Sequence, residues 1–159
     1  MNILFIRHAE AVEPSDWPGD DHSRPLTKAG RGTARRMSAF LAAAGIEPAL
    51  VLTSAAVRSR ETAACAGKHF RRARVEPLLN PGCTEAKMRA LLRATAKHEL
   101  IALIGHEPDF STIIARLIGD GSARLKLQKS ACALIKLADK KRPGQLLWLV
   151  PPLPGIGKR

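Results

Sequence analysis

The sequence predicts an α/β protein in which helices cover both faces of a mixed, mostly parallel sheet. Strand and helix patterns alternate along the chain with short connections, which is typical of a three-layer α/β/α sandwich. Residues 3–6, 50–53 and 100–104 are largely apolar runs, as expected for strands that are buried on both faces. Hydrophobic residues make up 45% of the 159 residues, as in folded proteins. We therefore expect one domain over residues 1–159, in which residues 151–159 form a Pro/Gly-rich surface tail.

The first half of the chain is predicted to supply two strand–helix units. A polar segment over residues 10–25, rich in Pro, Asp and Gly, forms a loop after the first strand. Thr27 is a suitable N-cap for a helix with apolar residues at helical spacing, and Gly45 ends that helix. After the second strand, Ser54 can cap the next helix.

The second half of the chain is predicted to contain two further helices and the rest of the sheet. Thr84 caps a helix that runs to about Lys97, and Pro108 lies in the first turn of a helix that reaches Ile118. Besides the strand over residues 100–104, the predicted elements are a weak strand over 74–77, a turn at 80–82, strands over 123–127, 131–138 and 145–150, and a turn over 140–144.

Composition and charge exclude several classes of protein. The net charge of +12 attracts anions such as phosphorylated substrates. A nucleic-acid partner is not expected, because aromatic residues are only 4% and no nucleic-acid-binding module is recognisable. No apolar run approaches the ~20 residues that span a bilayer, and no signal peptide is visible. We expect a cytoplasmic protein without a membrane partner, and the sequence does not predict its oligomeric state.

Two arginines and two histidines follow the ends of the three apolar strands. Arg7 and His8 end the first run, Arg58 follows the second and His106 follows the third. The carboxyl ends of parallel strands meet at one sheet edge, where ligands bind. Guanidinium groups stay charged and bind phosphate through a planar fork, and a neutral imidazole can attack phosphorus to form a phosphohistidine. These residues predict a site for a small tetrahedral anion and for phosphoryl transfer.

Four segments of the chain resemble signatures of the histidine phosphatase superfamily, which has the phosphoglycerate-mutase-like fold. They are residues 6–10 (IRHAE), residues 24–27 (RPLT) followed by Gly30, residues 54–62 (SAAVRSRET) and residues 105–108 (GHEP). The segments occur in order, and the resemblance extends from residue 2 to about residue 150. The chain is most similar to the small bacterial phosphohistidine phosphatases of the SixA type.

The resemblance implies a role for each matching residue. His8 would be the nucleophile that becomes phosphorylated. Arg7 and Arg58 would hold the phosphoryl oxygens, and His106 would complete the pocket as a donor that stabilises the transition state. Arg24 would reach the phosphate or another part of the substrate.

The general acid of the larger family members has no evident counterpart. Those members carry inserted helices above the pocket and a carboxylic acid that protonates the leaving alkoxide, whereas residues 77–85 are a short stretch here. Glu85, Glu107 and Asp109 are candidates, and each can instead belong to the start of a helix. Glu107 is also a candidate for substrate binding, either by orienting His106 or by holding a water. Phosphohistidine expels an imidazole with a pKa of about 6.5, so it needs a general acid less than a phosphoester does.

These observations favour a cofactor-free phosphatase that removes phosphate from phosphohistidine on a protein partner. A phosphomonoesterase of the same fold, acting on small molecules, is the alternative. A noncatalytic protein that binds polyanions is a third reading, motivated by the net charge. No metal is expected, because the histidines and cysteines lack the spacing of metal ligands.

Overall fold

The computed structural model describes residues 1–67, 70, 72–137 and 143–154. Within these residues, six strands form one sheet: β1 (Asn2–Arg7), β2 (Leu50–Thr53), β3 (Arg74–Val75), β4 (Leu100–Gly105), β5 (Cys132–Lys136) and β6 (Gln145–Val150). Their order is β3-β2-β4-β1-β5-β6. The pairs β1–β4, β2–β4 and β2–β3 are parallel, and the pairs β1–β5 and β5–β6 are antiparallel. The predicted mixed, mostly parallel sheet is confirmed.

Helices cover both faces of this sheet. The α-helices of the described residues are α1 (Lys28–Ala43), α2 (Val57–Cys65), α3 (Glu85–Ala94) and α4 (Asp109–Ile118). Leu4 and Ile6 of β1 pack in one cluster with α1 and α2, whereas Ile3 and Phe5 pack in another with α3 and α4. This alternation follows from the two-residue period of a strand, and it confirms the three-layer sandwich. No helix in the described part of the chain is long and apolar enough to cross a membrane.

The predicted boundaries of α1 and the predicted start of α3 are confirmed. The Thr27 hydroxyl accepts a hydrogen bond from the Gly30 N–H at 2.9 Å, and Gly45 has the positive φ of 69° that suits a glycine after a helix. Thr84 caps α3 in the same way as Thr27 caps α1. However, α3 ends at Ala94 rather than near Lys97. The chain leaves the helix at Thr95, whose hydroxyl donates to the Leu91 carbonyl at 2.8 Å.

In the C-terminal part, the strand predicted over residues 123–127 is wrong, and parts of the predicted turn and tail lie outside the described residues. Residues 123–127 do not form a strand, and β5, the next strand along the chain, has both of its edges paired, with β1 and with β6. They form a loop in which Leu127 is fully buried. Of the predicted tail, Leu153 packs beside α1 and its carbonyl accepts from Arg36 Nε at 3.0 Å. Residues 155–159, and most of the turn predicted over 140–144, lie outside the described residues.

The close packing of α1 against the loop after β1 gives a first testable prediction. A Cβ added at Gly30 would collide with the backbone of Glu10. We expect Gly30→Ala to lower the free energy of unfolding by about 1–3 kcal/mol, the usual cost of overpacking. Gly32→Ala is the matched control, because its Cβ would meet only the end of the Arg36 side chain. Alanine has a higher helix propensity than glycine, so this change should raise the free energy of unfolding by about 0.5–1 kcal/mol. Urea denaturation tests both changes, and a Gly30→Ala protein as stable as wild type would contradict the prediction.

Candidate active site

The candidate site lies where β1, β2 and β4 end side by side. Arg7 of β1 is paired with Gly105 of β4, so the two strands end level with each other. The residues that follow them are His8 and His106, and their ring centroids are 5.1 Å apart. Arg58 lies in the first turn of α2, the helix that follows β2. The structure thus brings together residues that are far apart in the sequence.

His8 is held in one tautomer and is neutral. Its Nδ1 lies 2.7 Å from the carbonyl oxygen of Ala9. Because a carbonyl oxygen only accepts, Nδ1 carries the hydrogen and Nε2 keeps its lone pair. Burial lowers the pKa of His8 to about 4, and the positive charges of Arg58 and Arg7 act in the same direction. The hydrogen bond to Ala9 opposes this lowering without overcoming it. His8 therefore presents an unprotonated Nε2 at neutral pH.

Arg58 and Arg24 share the carboxylate of Asp21. Arg58 is 4% exposed, and its two terminal nitrogens donate to Asp21 Oδ2 at 2.8 Å and to the Asp21 carbonyl at 2.5 Å. Arg24 donates to Asp21 Oδ1 from Nε at 2.8 Å and from a terminal nitrogen at 2.7 Å. Burial raises the pKa of Asp21, but the hydrogen bond from Arg24 and the charge of Arg58 outweigh it and lower this pKa overall. Asp21 is thus an anion held between two guanidinium groups.

Arg7 reaches the same region from β1. One of its terminal nitrogens donates to the Leu127 carbonyl at 2.8 Å. The Nε atoms of Arg7 and Arg58 are buried and have no hydrogen-bond partner among the described residues. Burial lowers the pKa of both arginines. The carboxylate of Glu107 near Arg7 and that of Asp21 near Arg58 raise the pKa, but by less than burial lowers it. An unpaired buried donor costs about 1–3 kcal/mol, so an oxyanion that reached these two Nε atoms would gain affinity from both.

A chain of hydrogen bonds orients His106. Its Nε2 lies 2.9 Å from the Ser54 hydroxyl, which lies 3.1 Å from Asn80 Oδ1. Asn80 Oδ1 also accepts from the Ala55 N–H at 2.8 Å, which identifies it as the oxygen of that side chain. Ser54 therefore donates its one hydrogen to Asn80 and accepts from His106 Nε2–H. Nδ1 of His106 then keeps its lone pair and has no hydrogen-bond partner in the described part of the chain.

The environment of His106 also keeps it neutral. Burial lowers the pKa of His106 to about 3, and the charges of His8 and Arg58 add to this effect. Ser54, which was expected to cap α2, is not its N-cap, because the helix begins after Ala56 and has no side-chain cap. The bend over residues 54–56 instead leaves the Ser54 hydroxyl between His106 and Asn80.

The three candidate acids are each engaged in other contacts. Glu107 accepts from Ser111 through both oxygens, from the N–H at 3.1 Å and the hydroxyl at 2.6 Å, at the start of α4. Asp109 accepts two backbone N–H groups of the loop over residues 80–84, at 2.8 and 3.0 Å. Glu85 pairs at 2.7 Å with an arginine one turn further along α3. These carboxylates stabilise helix starts and a loop in this structure.

Comparison with known proteins agrees with this geometry. Residues 3–91 match the family model of the histidine phosphatase superfamily (branch 1). The chain belongs to the histidine phosphatase superfamily. Its resemblance to SixA-type members and its phosphoglycerate-mutase-like fold are likewise confirmed. As a phosphatase of this family, it acts on a phosphorylated substrate.

Individual relatives cover the chain to different extents. The structure of the protein histidine phosphatase SixA complexed with tungstate is 26% identical, with a TM-score of 0.84 over 96% of this chain and 97% of that one. The α-ribazole phosphatase of Shigella flexneri is 18% identical, with a TM-score of 0.79 over 99% of this chain and 100% of that one. An uncharacterised chloroplast protein of Arabidopsis thaliana is 38% identical over 63 residues, which are 38% of this chain and only 27% of that protein.

Among the described residues, no group of three or more His, Cys, Asp and Glu side chains could hold a metal ion. Asp21, Ser54 and Asn80 are additions to the residues that the sequence singles out for this site. Asp21 lies in a polar loop without periodic pattern, and its contact with Arg58 joins residues 37 positions apart.

The two neutral histidines make the stability of this phosphatase depend on pH. The pKa is near 6.5 in an unfolded chain but about 4 for folded His8 and about 3 for folded His106. Below pH 6.5 the unfolded chain therefore binds protons that the folded protein does not. The free energy of unfolding should fall as the pH drops from 6.5 towards 4, by at most about 1.4 kcal/mol per pH unit for each histidine. Urea denaturation at pH 7, 6 and 5 measures this slope, and a His8→Gln/His106→Gln protein with an equally steep slope would contradict its assignment.

Proposed function

We propose that this protein removes phosphate from phosphohistidine on a protein partner, with His8 as the nucleophile. The free lone pair on Nε2 supports this role, because the attacking nitrogen must be unprotonated. The charges of Arg58, Arg7 and Arg24 all act on the imidazole of His8. These are the groups that phosphoryl transfer requires, since its catalysis rests on positioning and positive charge. The reaction needs no cofactor.

In the first step, Nε2 of His8 attacks the phosphorus in line with the leaving nitrogen. The bond between phosphorus and the substrate imidazole breaks as the bond to His8 forms. Arg7 and Arg58 bind the equatorial oxygens, and the substrate phosphoryl group takes over hydrogen bonds that Arg58 makes with Asp21. The leaving nitrogen takes a proton from solvent.

In the second step, water attacks the phosphorus carried by His8. The bond to Nε2 breaks, its electron pair returns to the imidazole, and inorganic phosphate leaves. His106 can accept the proton of the attacking water at Nδ1, because its Nε2–H is committed to Ser54. The negative charge of the phosphoryl group favours this protonation by raising the low pKa of His106. Ser54 and Asn80 are positioning residues that fix the imidazole ring.

The choice of phosphohistidine over a phosphoester rests on one observation. Glu85, Glu107 and Asp109 are all engaged in contacts that support helices or a loop, which leaves none of these candidates free as an acid for an alkoxide. Asp21 is held as an anion by Arg24 and Arg58, so it is not a proton donor either. A leaving imidazole is easily protonated at neutral pH, whereas an alkoxide is a much poorer leaving group.

Two other functions have some support. The structural similarity to an enzyme named α-ribazole phosphatase favours a small-molecule phosphomonoesterase of the same fold as the second candidate. The net charge of +12 supports noncatalytic binding of polyanions as the third candidate, but the unprotonated imidazole of His8 favours catalysis.

A substrate panel at equal enzyme concentration separates these functions. It compares a phosphohistidine peptide with several phosphomonoesters, and a quench in alkaline denaturant traps phosphate on the enzyme. We expect kcat/KM for the peptide to exceed that for the esters by about 10²-fold or more, the usual contribution of a general acid. Faster hydrolysis of an ester would favour the small-molecule enzyme, and salt-sensitive binding of polyphosphate without hydrolysis would favour the polyanion-binding protein.

A further inference from the structure

An open cleft lies beside the candidate active site and shares Arg7 with it. Its volume is about 350 Å³, which is in the range of ligand pockets, and Arg7, Lys126 and Lys129 contribute its positive charges. The cleft also contains Glu10, Gln128 and Ser130. The proposed chemistry uses only Arg7 of this group, so it assigns no role to most of the cleft.

The segment over residues 126–130 connects this cleft to the nucleophile. The N–H of Ser130 donates to the carbonyl of His8 at 3.2 Å, and the carbonyl of Leu127 accepts from Arg7. Ser130 has a positive φ of 68°, which is uncommon for a residue other than glycine and is often retained at functional sites. Its side chain is buried, and its hydroxyl has no hydrogen-bond partner among the described residues. The loop that lines the cleft is thus hydrogen-bonded to the backbone of His8 and to the side chain of Arg7.

The charges of the cleft suit an acidic ligand. Lys126 is exposed and forms no ion pair with any described residue. Lys129 pairs with Glu13 at 2.9 Å, but both side chains are well exposed, and such surface pairs contribute only about 0–1 kcal/mol. Glu10 is the one carboxylate among the described lining residues, and it already accepts from the Thr27 hydroxyl at 2.7 Å. Three cations therefore face one carboxylate.

We propose that this cleft binds carboxylate side chains that flank the phosphohistidine of the protein partner. This inference rests on the proposed function and names a feature of its substrate. Two lysines on a loop present separate point charges, which suit single carboxylates spaced along a peptide. A second phosphate group would favour converging donors such as an arginine fork, and apart from Arg7, which belongs to the catalytic group, the described residues of the cleft include no arginine.

Two phosphohistidine peptides test the proposal. They differ only at two positions beside the phosphohistidine, which carry Glu in one peptide and Gln in the other. We expect wild-type kcat/KM at low salt to be about 10-fold higher for the Glu peptide, and Lys126→Gln/Lys129→Gln to reduce this ratio to about 1. The matched control is Lys97→Gln/Lys136→Gln, which removes the same charge from two exposed positions. Lys97 precedes β4 and Lys136 ends β5, so both lie at the edge of the sheet opposite the site, and this control should keep the 10-fold ratio. Glu13→Gln should raise the ratio, because it releases Lys129 from its ion pair.

The outcomes distinguish this proposal from the function on which it rests. Hydrolysis of both peptides at equal rates by the wild-type protein would refute the acidic subsite and leave the phosphohistidine phosphatase standing. A ratio that survives in the cleft variant, or that falls equally in the control, would also refute the subsite. Hydrolysis of phosphomonoesters but of neither peptide would refute the proposed function and the subsite together.

Discussion

His8→Ala is expected to lower kcat by about 10⁴-fold or more on every phosphorylated substrate, as removal of a nucleophile does in other enzymes. The reason is the lone pair on Nε2 of His8, which attacks the phosphorus and is lost with the ring, whereas His106 is assigned to the proton of the attacking water. A quench in alkaline denaturant, in which phosphohistidine is stable, should trap phosphate on the wild-type protein and none on the variant. Steady-state rates and phosphate trapping measured together check this prediction.

The control for this variant must separate lost chemistry from lost folding. His98→Ala is a suitable comparison, because His98 lies in the turn before β4, at the opposite edge of the sheet from the site. It should leave kcat within about 2-fold of wild type, since surface changes away from a site have small effects. Added imidazole can enter the space of the missing ring and should restore part of the activity of His8→Ala. A folded His8→Ala protein with nearly normal activity would rule out His8 as the nucleophile.

The parts of the fold and of the site that the sequence predicts depend on local signals. The runs ending at Arg7 and at Gly105 are nearly continuous apolar stretches, and only buried parallel strands readily accommodate them. Once these strands are parallel neighbours, His8 and His106 must emerge at the same edge. The prediction of a common site therefore depends only on β1 and β4 being parallel neighbours, and it requires no knowledge of the side-chain contacts.

The features that the sequence does not predict depend on contacts between distant residues. The alternation over residues 123–127 is compatible with a strand, but β1 and β6 occupy both edges of β5. Ser54 follows a strand and precedes a helix, so a cap is the local expectation, whereas its partners Asn80 and His106 are 26 and 52 positions away. Asp21 lies in a loop whose path is set by the arginines that it contacts. No local pattern encodes such pairings.

Arg58→Ala is expected to lower kcat by about 10³-fold, within the range found for loss of an arginine or of another donor that stabilises transition-state charge. Asp21 would keep its two hydrogen bonds from Arg24, and its half-exposed side chain can be hydrated, so the loss of its other partner should cost little stability. The fall should appear mainly in kcat, because negative charge on the equatorial oxygens is held most strongly in the transition state.

Two further variants on α2 make this prediction specific. Arg58→Lys keeps the positive charge but loses the planar fork of the guanidinium, so we expect it to recover only part of the rate. A rate for Arg58→Lys equal to that of the wild-type protein would contradict this expectation. Arg60→Ala removes an exposed arginine two residues along the same helix and should leave kcat unchanged. Equal losses in Arg58→Ala and Arg60→Ala would indicate that the overall positive field, and not the buried guanidinium beside His8, supports catalysis. A large loss confined to position 58 would show that catalysis depends on the guanidinium of Arg58 itself, the group that pairs with the carboxylate of Asp21 in this structure.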